Sequence, residues 1–493
     1  MMSSGLRRTV VALLVCAGLV TAVHALWPAP AAADPPGKVQ ATPATPKPAD
    51  KMATPQINLK PSTGGIDRFR GLLGYALLIG IGFAMSRKRK QIKWRPVAWG
   101  LGLQLIFATI VLNPVVGNFF FTVVDSGVKT LLSFSEKGTA FVLKSFMDYK
   151  VNLVTPGGEQ AMVVVSGKDM IGPATLNLAF WVLPTVIFFS ALITVLYYLG
   201  VMQIIVKGIA RLMVYAMGTS GSETLSCTAN IFVGQTEAPL MVKPFVDRMT
   251  KSELMAVMTG GFATVAGGVL ALYVSILKDV PNIAGHLVTA SIMAAPCALA
   301  MSKLMLPETE ESATGGSVRL DIPKTDSNVI EAAARGASDG MSLVLNITAM
   351  LIAFVGLVAM LDAILGIAGL SISMILGWAF RPLAWTMGVP WDEAKIVGEL
   401  LGVKLVLTEL LAYQQLQARL AAPVAVLSTR SSVISSYALC GFANVASIGI
   451  QIGGIGGMAP KRRGDLARLG LFAMAAGALV SCLSGTIAGM FTS

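Results

Sequence analysis

The order of hydrophobic and polar positions along the chain predicts a protein that crosses a membrane several times. Apolar runs long enough to span a hydrocarbon core of ~30 Å recur from residue 69 onward, separated by short polar segments. They predict eight spans, at about 69–85, 96–116, 176–200, 254–277, 287–306, 341–365, 432–455 and 469–490. The predicted fold class is an all-α polytopic membrane protein with about eight transmembrane helices and two re-entrant helical hairpins.

The first predicted hairpin surrounds Gln235, Thr236 and Glu237, which stand side by side in an apolar run. An unpartnered carboxylate at that depth costs several kcal/mol, so it marks a functional position. Pro239 suits the first turn of a new helix, which predicts two short helices of about ten residues that meet at a polar tip. Such a tip lies at mid-membrane and lines a solute site. An ordinary buried helix with one satisfied Glu is the alternative interpretation.

One arrangement of elements occurs twice, in residues 176–306 and again in residues 341–493. Each unit has a span, an amphipathic helix, a polar-tipped hairpin and two further spans, and the second hairpin, 391–417, carries Glu409. The positive-inside rule places the basic loops on the cytoplasmic side. These loops contain Lys243, Arg248, Lys251, Lys324, Arg335 and Lys461 to Arg463. The two units therefore enter the membrane from opposite sides, as the inverted repeats of secondary transporters do.

The remaining segments lie before and between these repeats. Residues 1–33 are predicted to be a signal peptide, with a retained anchor as the alternative, and residues 34–65 a disordered, Pro/Ala-rich periplasmic tether. Residues 66–175 hold the first two spans, an amphipathic helix near 119–134 and an external loop at 149–172. Residues 307–340 are predicted to be a solvated cytoplasmic loop. The mature N-terminus and the C-terminus are predicted to be periplasmic, in the inner membrane of a bacterium.

Composition and charge exclude several classes of function. Only 13% of the 493 residues are charged, against roughly 25% in a soluble domain. The net charge of +12 comes mostly from short loops between spans, which predicts contact with membrane lipid and no nucleic-acid partner. The chain has two histidines, His24 and His286, too few for a His-based metal site or a Ser-His-Asp triad. The five cysteines show no CxxC spacing and are predicted to be packed thiols, and no enzyme activity is predicted.

Two spans carry small and polar residues that an unbroken helix does not need. The span at 254–277 contains Gly260, Gly261 and Thr264, and the span at 432–455 contains Asn444 and Ser447. Glycines beside Thr, Asn and Ser predict local unwinding, which exposes carbonyls to a cation or a polar solute. Close helix packing through small residues is the alternative.

Several strings together resemble the concentrative nucleoside transporters, over roughly residues 66–490. They are Gly234-Gln-Thr-Glu-Ala-Pro-Leu240, Met258-Thr-Gly-Gly-Phe-Ala-Thr264, Ala294-Ala-Pro-Cys-Ala-Leu-Ala-Met-Ser-Lys303 with Pro307-Glu-Thr-Glu-Glu311, and Tyr437-Ala-Leu-Cys-Gly-Phe-Ala-Asn444 with Ser447-Ile-Gly449. The resemblance implies a homotrimer in which each protomer carries a nucleoside down an inward cation gradient.

The resemblance also implies roles for individual residues. Those expected to face the base are Gln235, Thr236, Glu237 and Val269, and those expected to hold the ribose are Glu409, Asn444 and Ser447. The coupling ion is expected between the first hairpin and the broken span that follows it, at Asn230, Thr264 and the carbonyls of Val233 and Val265. Neutral oxygens suit Na⁺, whereas a proton needs a titratable acceptor. Coupling to H⁺ through Glu223 or Glu237 remains the alternative.

One departure from the family pattern lies in the second hairpin. Thr408 stands where the family has an amide and Leu410 where it has an aromatic ring, while Lys404 and Glu409 are retained. This departure puts the hydrogen bonds that orient Glu409, and the substrate range, in question. The alternative functions are transport of another polar solute on the same fold, and intramembrane hydrolysis with Glu237 and Glu409 as acid and base. The second lacks a nucleophile or a metal.

Overall fold

The computed structural model describes residues 59–60, 66–154, 160–166, 182–314, 326–422 and 424–492. The predicted signal peptide lies outside these residues, as do nearly all of the predicted tether and part of the predicted external loop. All of the described residues belong to the unit that begins at Gln56.

From residue 66 onward, the first described elements are three α-helices and a pair of strands. These elements are α1 (Ile66–Ala84), α2 (Trp94–Val111), α3 (Pro114–Met147), β1 (Asp148–Val154) and β2 (Gln160–Ser166). The strands pair antiparallel, with Asp148 opposite Ser166. The segment predicted to be an external loop at 149–172 therefore contains a strand pair, which was not predicted. The β-branched run Val163 to Val165 explains the difference, because such residues favour strands.

Helix α3 is longer than the amphipathic segment predicted at 119–134, and it has one buried face and one exposed face. Phe121 and Asp125 are buried, whereas Phe119, Val123 and Phe141 are exposed. The next two helices, α4 (Pro184–Tyr198) and α5 (Val201–Met217), meet at an angle of 76°. That bend separates the predicted third span from the amphipathic helix after it.

The first hairpin and the helices after it come next in the chain. They are α6 (Gly221–Ala229), α7 (Glu237–Leu240), α8 (Lys243–Val246), α9 (Lys251–Ala263), α10 (Gly267–Ile276) and α11 (Ile283–Met305). The second arm of the hairpin is two four-residue helices rather than the single helix expected. Pro244 accounts for the interruption, because it cannot donate to the carbonyl of Leu240 and its ring crowds that group.

From residue 326 onward, the described residues form seven α-helices: α12 (Val329–Gly366), α13 (Ile372–Thr386), α14 (Trp391–Val406), α15 (Glu409–Leu420), α16 (Thr429–Leu439), α17 (Val445–Met458) and α18 (Arg463–Phe491). Helix α12 begins well before residue 341, so the end of the predicted cytoplasmic loop is helical. The Asn328 side chain accepts a hydrogen bond from the backbone N–H of Glu331 and caps this helix.

The start of the predicted cytoplasmic loop is packed rather than solvated. Lys303 at the end of α11 forms ion pairs with Glu223 of α6 (2.7 Å) and with Glu308 (3.1 Å), and the Thr250 hydroxyl donates to Glu308 (2.7 Å). Burial alone raises the pKa of Glu308, but Lys303 and Thr250 outweigh it and hold that pKa below its usual value. These contacts therefore connect the start of the loop to α6 of the first hairpin, to α11 and to the residue that precedes α9.

Within the described residues, five helical segments are long and apolar enough to cross a membrane, or six with the bent pair α4–α5. Two of the eight predicted spans fall short by this measure: α1, and the pair α16–α17, which is broken into shorter helices. The core lies where α9, α11 and α18 pack together. The architecture is that of an all-α polytopic membrane protein with the strand pair as an addition.

Candidate functional site

The predicted unwinding in the span after the first hairpin is confirmed. Helix α9 ends at Ala263 and α10 begins at Gly267, and Thr264 between them is extended, with φ −119° and ψ 170°. The backbone N–H of Gly267 donates to the carbonyl of Phe232 at 2.9 Å. The break therefore lies directly beside the end of the first arm of the hairpin.

The second predicted break, between α16 and α17, touches the first. Gly441 has φ +128°, a conformation that side chains rarely adopt, and an added Cβ would lie 2.8 Å from the carbonyl oxygen of Phe262 and 2.9 Å from that of Ala263. Only glycine permits this approach. The two irregular segments, one from each repeat, consequently meet at one place.

Glu409 is the first residue of α15, at the tip of the second hairpin, and only 5% of it is exposed. The Tyr273 hydroxyl donates to its Oε1 at 2.7 Å, and Asn444 Nδ2 donates to its Oε2 at 2.8 Å. The carboxylate is thus held by α10 of the first repeat and by the second break. Asn444 is fixed in turn, because its Oδ1 accepts from the backbone N–H of Ser447 at 2.8 Å and so caps α17.

Two further side chains of the second hairpin support the second break. The Lys404 ammonium donates to the carbonyl of Ala438 (2.8 Å), and the Tyr413 hydroxyl donates to that of Ser436 (2.8 Å). Both carbonyls belong to the last turn of α16, whose acceptors have no partner within the helix. Neither tyrosine, Tyr273 or Tyr413, was identified from the sequence. Lys404 was noted in the sequence only as a residue that matches the family pattern.

The replacement at Thr408 does not disturb the orientation of Glu409. The Thr408 hydroxyl accepts from the backbone N–H of Leu411 at 3.4 Å and caps α15, the role open to an amide at this position. Glu409 takes its side-chain hydrogen bonds from Tyr273 and Asn444 instead. Leu410 is buried.

The tip of the first hairpin lies against α17. Gln451 Nε2 donates to Gln235 Oε1 at 3.0 Å, and Thr236 packs against Gly454. Glu237 is exposed, and its carboxylate folds back over Gly234. Gln451 was not identified from the sequence; a polar residue one turn beyond Ser447 in an apolar helix was the available signal. Val269, also expected at the site, is buried in α10.

The residues expected at the ion position lie on both sides of the contact between Phe232 and Gly267. Asn230, at the end of α6, is 1% exposed, and neither atom of its amide has a hydrogen-bond partner among the described residues. Val233 and Val265 are buried in the non-helical segments. The Thr264 hydroxyl donates to the Gly260 carbonyl at 2.9 Å, which leaves its lone pairs free to accept. A buried, unpaired amide needs an explanation, and a bound cation supplies one for its oxygen.

Two carboxylates near the first hairpin are the candidates for proton coupling. Glu223 is engaged by Lys303 at the opposite end of α6, and Glu237 lies at the hairpin tip. Across the described part of the chain, no group of three or more His, Cys, Asp or Glu residues is arranged to hold a metal ion. The oxygens at Asn230 and Thr264 suit a hard monovalent cation better than a transition metal.

Three family profiles match the chain. Residues 73–146 match the N-terminus and residues 286–489 the C-terminus of the Na⁺-dependent nucleoside transporters, and residues 179–280 match a Gate profile described as nucleoside recognition. Mouse (Mus musculus) sodium/nucleoside cotransporter 1 is 42% identical over 441 residues, 86% of this chain. This chain spans 63% of the mouse protein's length. The uncharacterized transporter YutK of Bacillus subtilis is 42% identical over 429 residues, 85% of this chain and 98% of YutK.

Solved structures agree with these matches. CNTnw in an inward-facing substrate-bound state superposes with a TM-score of 0.78 at 41% identity, over 86% of this chain and 99% of CNTnw. A doubly substituted variant of CNTnw in an outward-facing state gives 0.74 at 39% identity, over 87% of this chain and 98% of that variant. The predicted all-α polytopic membrane fold and the predicted family are confirmed.

Proposed function

Because this chain belongs to the family of Na⁺-dependent nucleoside transporters, we propose that it is a Na⁺-coupled symporter that imports nucleosides by alternating access. The observation that carries the proposal is the meeting of polar groups from both repeats. Glu409 of the second hairpin is held by Tyr273 and Asn444, next to the two touching breaks. Transporters place their substrate sites where discontinuous helices of two repeats meet.

The nucleoside would bind between the two hairpin tips. Gln235, Thr236 and Glu237, with Val269, would face the base, and Glu409, Asn444 and Ser447 would hold the ribose. A carboxylate accepts from ribose hydroxyls, and an amide can pair with the mixed edge of a base. A solute without those hydroxyls would leave Glu409 underpaired, a penalty of ~1–3 kcal/mol. Selectivity for nucleosides over free bases follows from that penalty.

The ion would bind at Asn230, Thr264 and the carbonyls of Val233 and Val265. The unpaired amide of Asn230 and the extended backbone at Thr264 support this position. Each group is neutral, so the group itself does not titrate and a proton has no acceptor there. The ion would join the first hairpin to the break at Thr264, so its binding would help to build the nucleoside site. Coupling to H⁺ through Glu223 or Glu237 is the alternative.

The protein is integral to a membrane, and we propose the inner membrane of a bacterium with both mature termini periplasmic. The basic loops support that orientation. We also propose a homotrimer, on the family resemblance. Helix α12 supports contact with lipid or other protomers, since no residue in its most apolar stretch is buried. The mass of the detergent-solubilised protein by light scattering tests the trimer, and a monomer mass contradicts it.

Uptake into proteoliposomes tests the substrate class. Radiolabelled uridine should accumulate when Na⁺ is outside, and unlabelled nucleosides should compete for uptake whereas free bases and sugars should not. Liposomes without protein provide the control. If a sugar or an amino acid competes as well as a nucleoside does, the chain is a transporter for another polar solute on the same fold. The family contains transporters, not enzymes, so no conversion of uridine is expected.

A further inference from the structure

Gln451 is a fully buried glutamine in α17 that lies outside the residues expected to bind the nucleoside or the ion. It is 0% exposed and lies on one face of the helix with Ser447 and Gly454. That face meets the tip of the first hairpin: Gln451 contacts Gln235, and Gly454 contacts Thr236. Gln451 therefore joins the second repeat to the residue proposed to read the base.

The orientation of the Gln451 amide is fixed by a backbone carbonyl. Its nitrogen Nε2 lies 3.2 Å from the carbonyl oxygen of Met258, which can only accept a hydrogen bond. The reversed amide would place two acceptors against each other. The atom of Gln451 that faces this carbonyl is consequently the donor.

The same nitrogen determines the orientation of Gln235. Gln451 Nε2 also donates to Gln235 at 3.0 Å, so the atom of Gln235 that faces it has to be the oxygen, Oε1. Gln235 Nε2 is then the end directed away from α17. No acceptor within the described chain is bonded to it, and Gln235 as a whole is 7% exposed.

Helix α9 packs closely against this pair. An added Cβ at Gly261 would lie 2.7 Å from Gln451 Nε2 and 2.9 Å from Gln235 Cβ. Gly261 belongs to the Gly-Gly pair whose close packing was the alternative to unwinding. In the structure, Gly261 lies within α9 and allows close packing, because the lack of a side chain lets both glutamines approach the helix backbone.

We infer that Gln451 is a specificity-determining residue. Its hydrogen bond holds the Gln235 amide so that the Gln235 oxygen is occupied and the Gln235 N–H₂ group faces the base. The inference rests on the proposed function. The base atom that meets the Gln235 N–H₂ group has to be an acceptor, and the inference places the 4-position of a pyrimidine or the 6-position of a purine there, where uracil and hypoxanthine carry an oxo group. Cytosine and adenine carry an amino donor at these positions, so two donors would face each other and both would go unpaired.

Rates of uptake for matched nucleoside pairs test the inference on the unaltered protein. Uridine and cytidine differ at the 4-position, and inosine and adenosine differ at the 6-position. An unpaired buried donor costs ~1–3 kcal/mol, so Vmax/KM should favour the oxo member of each pair by at least about fivefold. If the protein takes up both members equally well, this inference is wrong while the proposed function stands. If it takes up no nucleoside, both fail.

The variant Gln451→Met removes the donor while it keeps the length of the side chain. Gln235 is then free to turn its oxygen to the base, so the preference for uridine over cytidine should fall toward one with little change in the Na⁺ concentration for half-maximal uptake. Gln104→Met is the matched control, since Gln104 is an equally buried glutamine that donates to Ser484 in α18. An unchanged uridine-to-cytidine ratio in Gln451→Met would overturn the inference.

Discussion

The two hairpin tips differ in how far their polar groups are satisfied by the protein itself. At the second tip, Glu409 has a donor on each carboxylate oxygen, from Tyr273 and Asn444. At the first hairpin, the described residues supply no partner for the Asn230 amide, and Glu237 is exposed. Both hairpins carry a carboxylate at the tip, but only the carboxylate of the second accepts hydrogen bonds from the side chains of two other segments among the described residues.

This difference indicates that the two repeats contribute to ligand binding in different ways. A carboxylate with two side-chain donors is oriented before any ligand arrives, which favours recognition of a fixed group such as a pair of ribose hydroxyls. The unpaired groups of the first hairpin gain partners only when an ion or a base binds. In the proposed site the second tip is therefore the more fully preorganised half, whereas in the first hairpin Gln451 orients Gln235 and the Asn230 amide is left to be completed by a ligand.

The largest effect should come from the preorganised half. In Glu409→Gln, the amide has one oxygen for two donors, so either Tyr273 or Asn444 faces an N–H₂ group and the ribose hydroxyls lose an acceptor. Each hydrogen bond to a charged group contributes ~1.5–3 kcal/mol, so uridine uptake should fall on the order of 100-fold. Glu399→Gln is the control, because Glu399 lies in α14 of the same hairpin and pairs with Arg419 at 3.0 Å. Near-normal uptake and affinity in Glu409→Gln would remove Glu409 from the site.

Uridine uptake should fall by less when the hydrogen bond from Lys404 to the second break is removed. Lys404→Met leaves the Ala438 carbonyl without its donor at the end of α16, which shifts the break that carries Asn444. One unpaired buried carbonyl costs ~1–3 kcal/mol, so uptake should fall on the order of tenfold. Because Lys404 donates to backbone rather than to the nucleoside, uridine and cytidine should lose equally. Unequal losses would show that Lys404 contacts the base.

At the first hairpin, Thr264→Val should affect the ion before the nucleoside. Valine keeps the shape of threonine but removes an oxygen, so the Na⁺ concentration for half-maximal uptake should rise by about fivefold or more, corresponding to ~1 kcal/mol or more. Thr486→Val in α18 is the matched control, since Thr486 is buried and bonds the carbonyl four residues before it as Thr264 does. Equal Na⁺ dependence in the two variants would place the ion elsewhere.

The smallest effect is expected for Thr408→Asn, which restores the family residue. Asparagine caps helices as well as threonine does, so α15 and the thermal stability should be retained. The ranking among nucleosides should change by no more than about threefold, which is below 1 kcal/mol, because Glu409 takes its side-chain donors from Tyr273 and Asn444. A rate change above tenfold for any one nucleoside would mean that Thr408 itself reaches the substrate.

The helices and both breaks could be predicted from the sequence, because apolar runs and glycines beside polar residues act locally. The interrupted second arm of the first hairpin was missed, although Pro244 carries the signal. The partners of Glu409 could not be predicted, since Tyr273 lies in the other repeat and only the folded chain brings them together. Gln451 was missed for the same reason, because its role depends on contacts with the Met258 carbonyl and with Gly261 in α9.

The coupling ion provides the most direct test of the proposed mechanism. Proteoliposomes should accumulate uridine when an inward Na⁺ gradient is imposed at constant pH, and accumulation should collapse when the Na⁺ gradient is abolished. The Asn230 and Thr264 oxygens, which do not titrate, predict no accumulation from a pH gradient in Na⁺-free buffer. If the pH gradient drives uridine uptake equally well without Na⁺, the Na⁺ assignment is wrong and Glu223 or Glu237 carries the coupling proton.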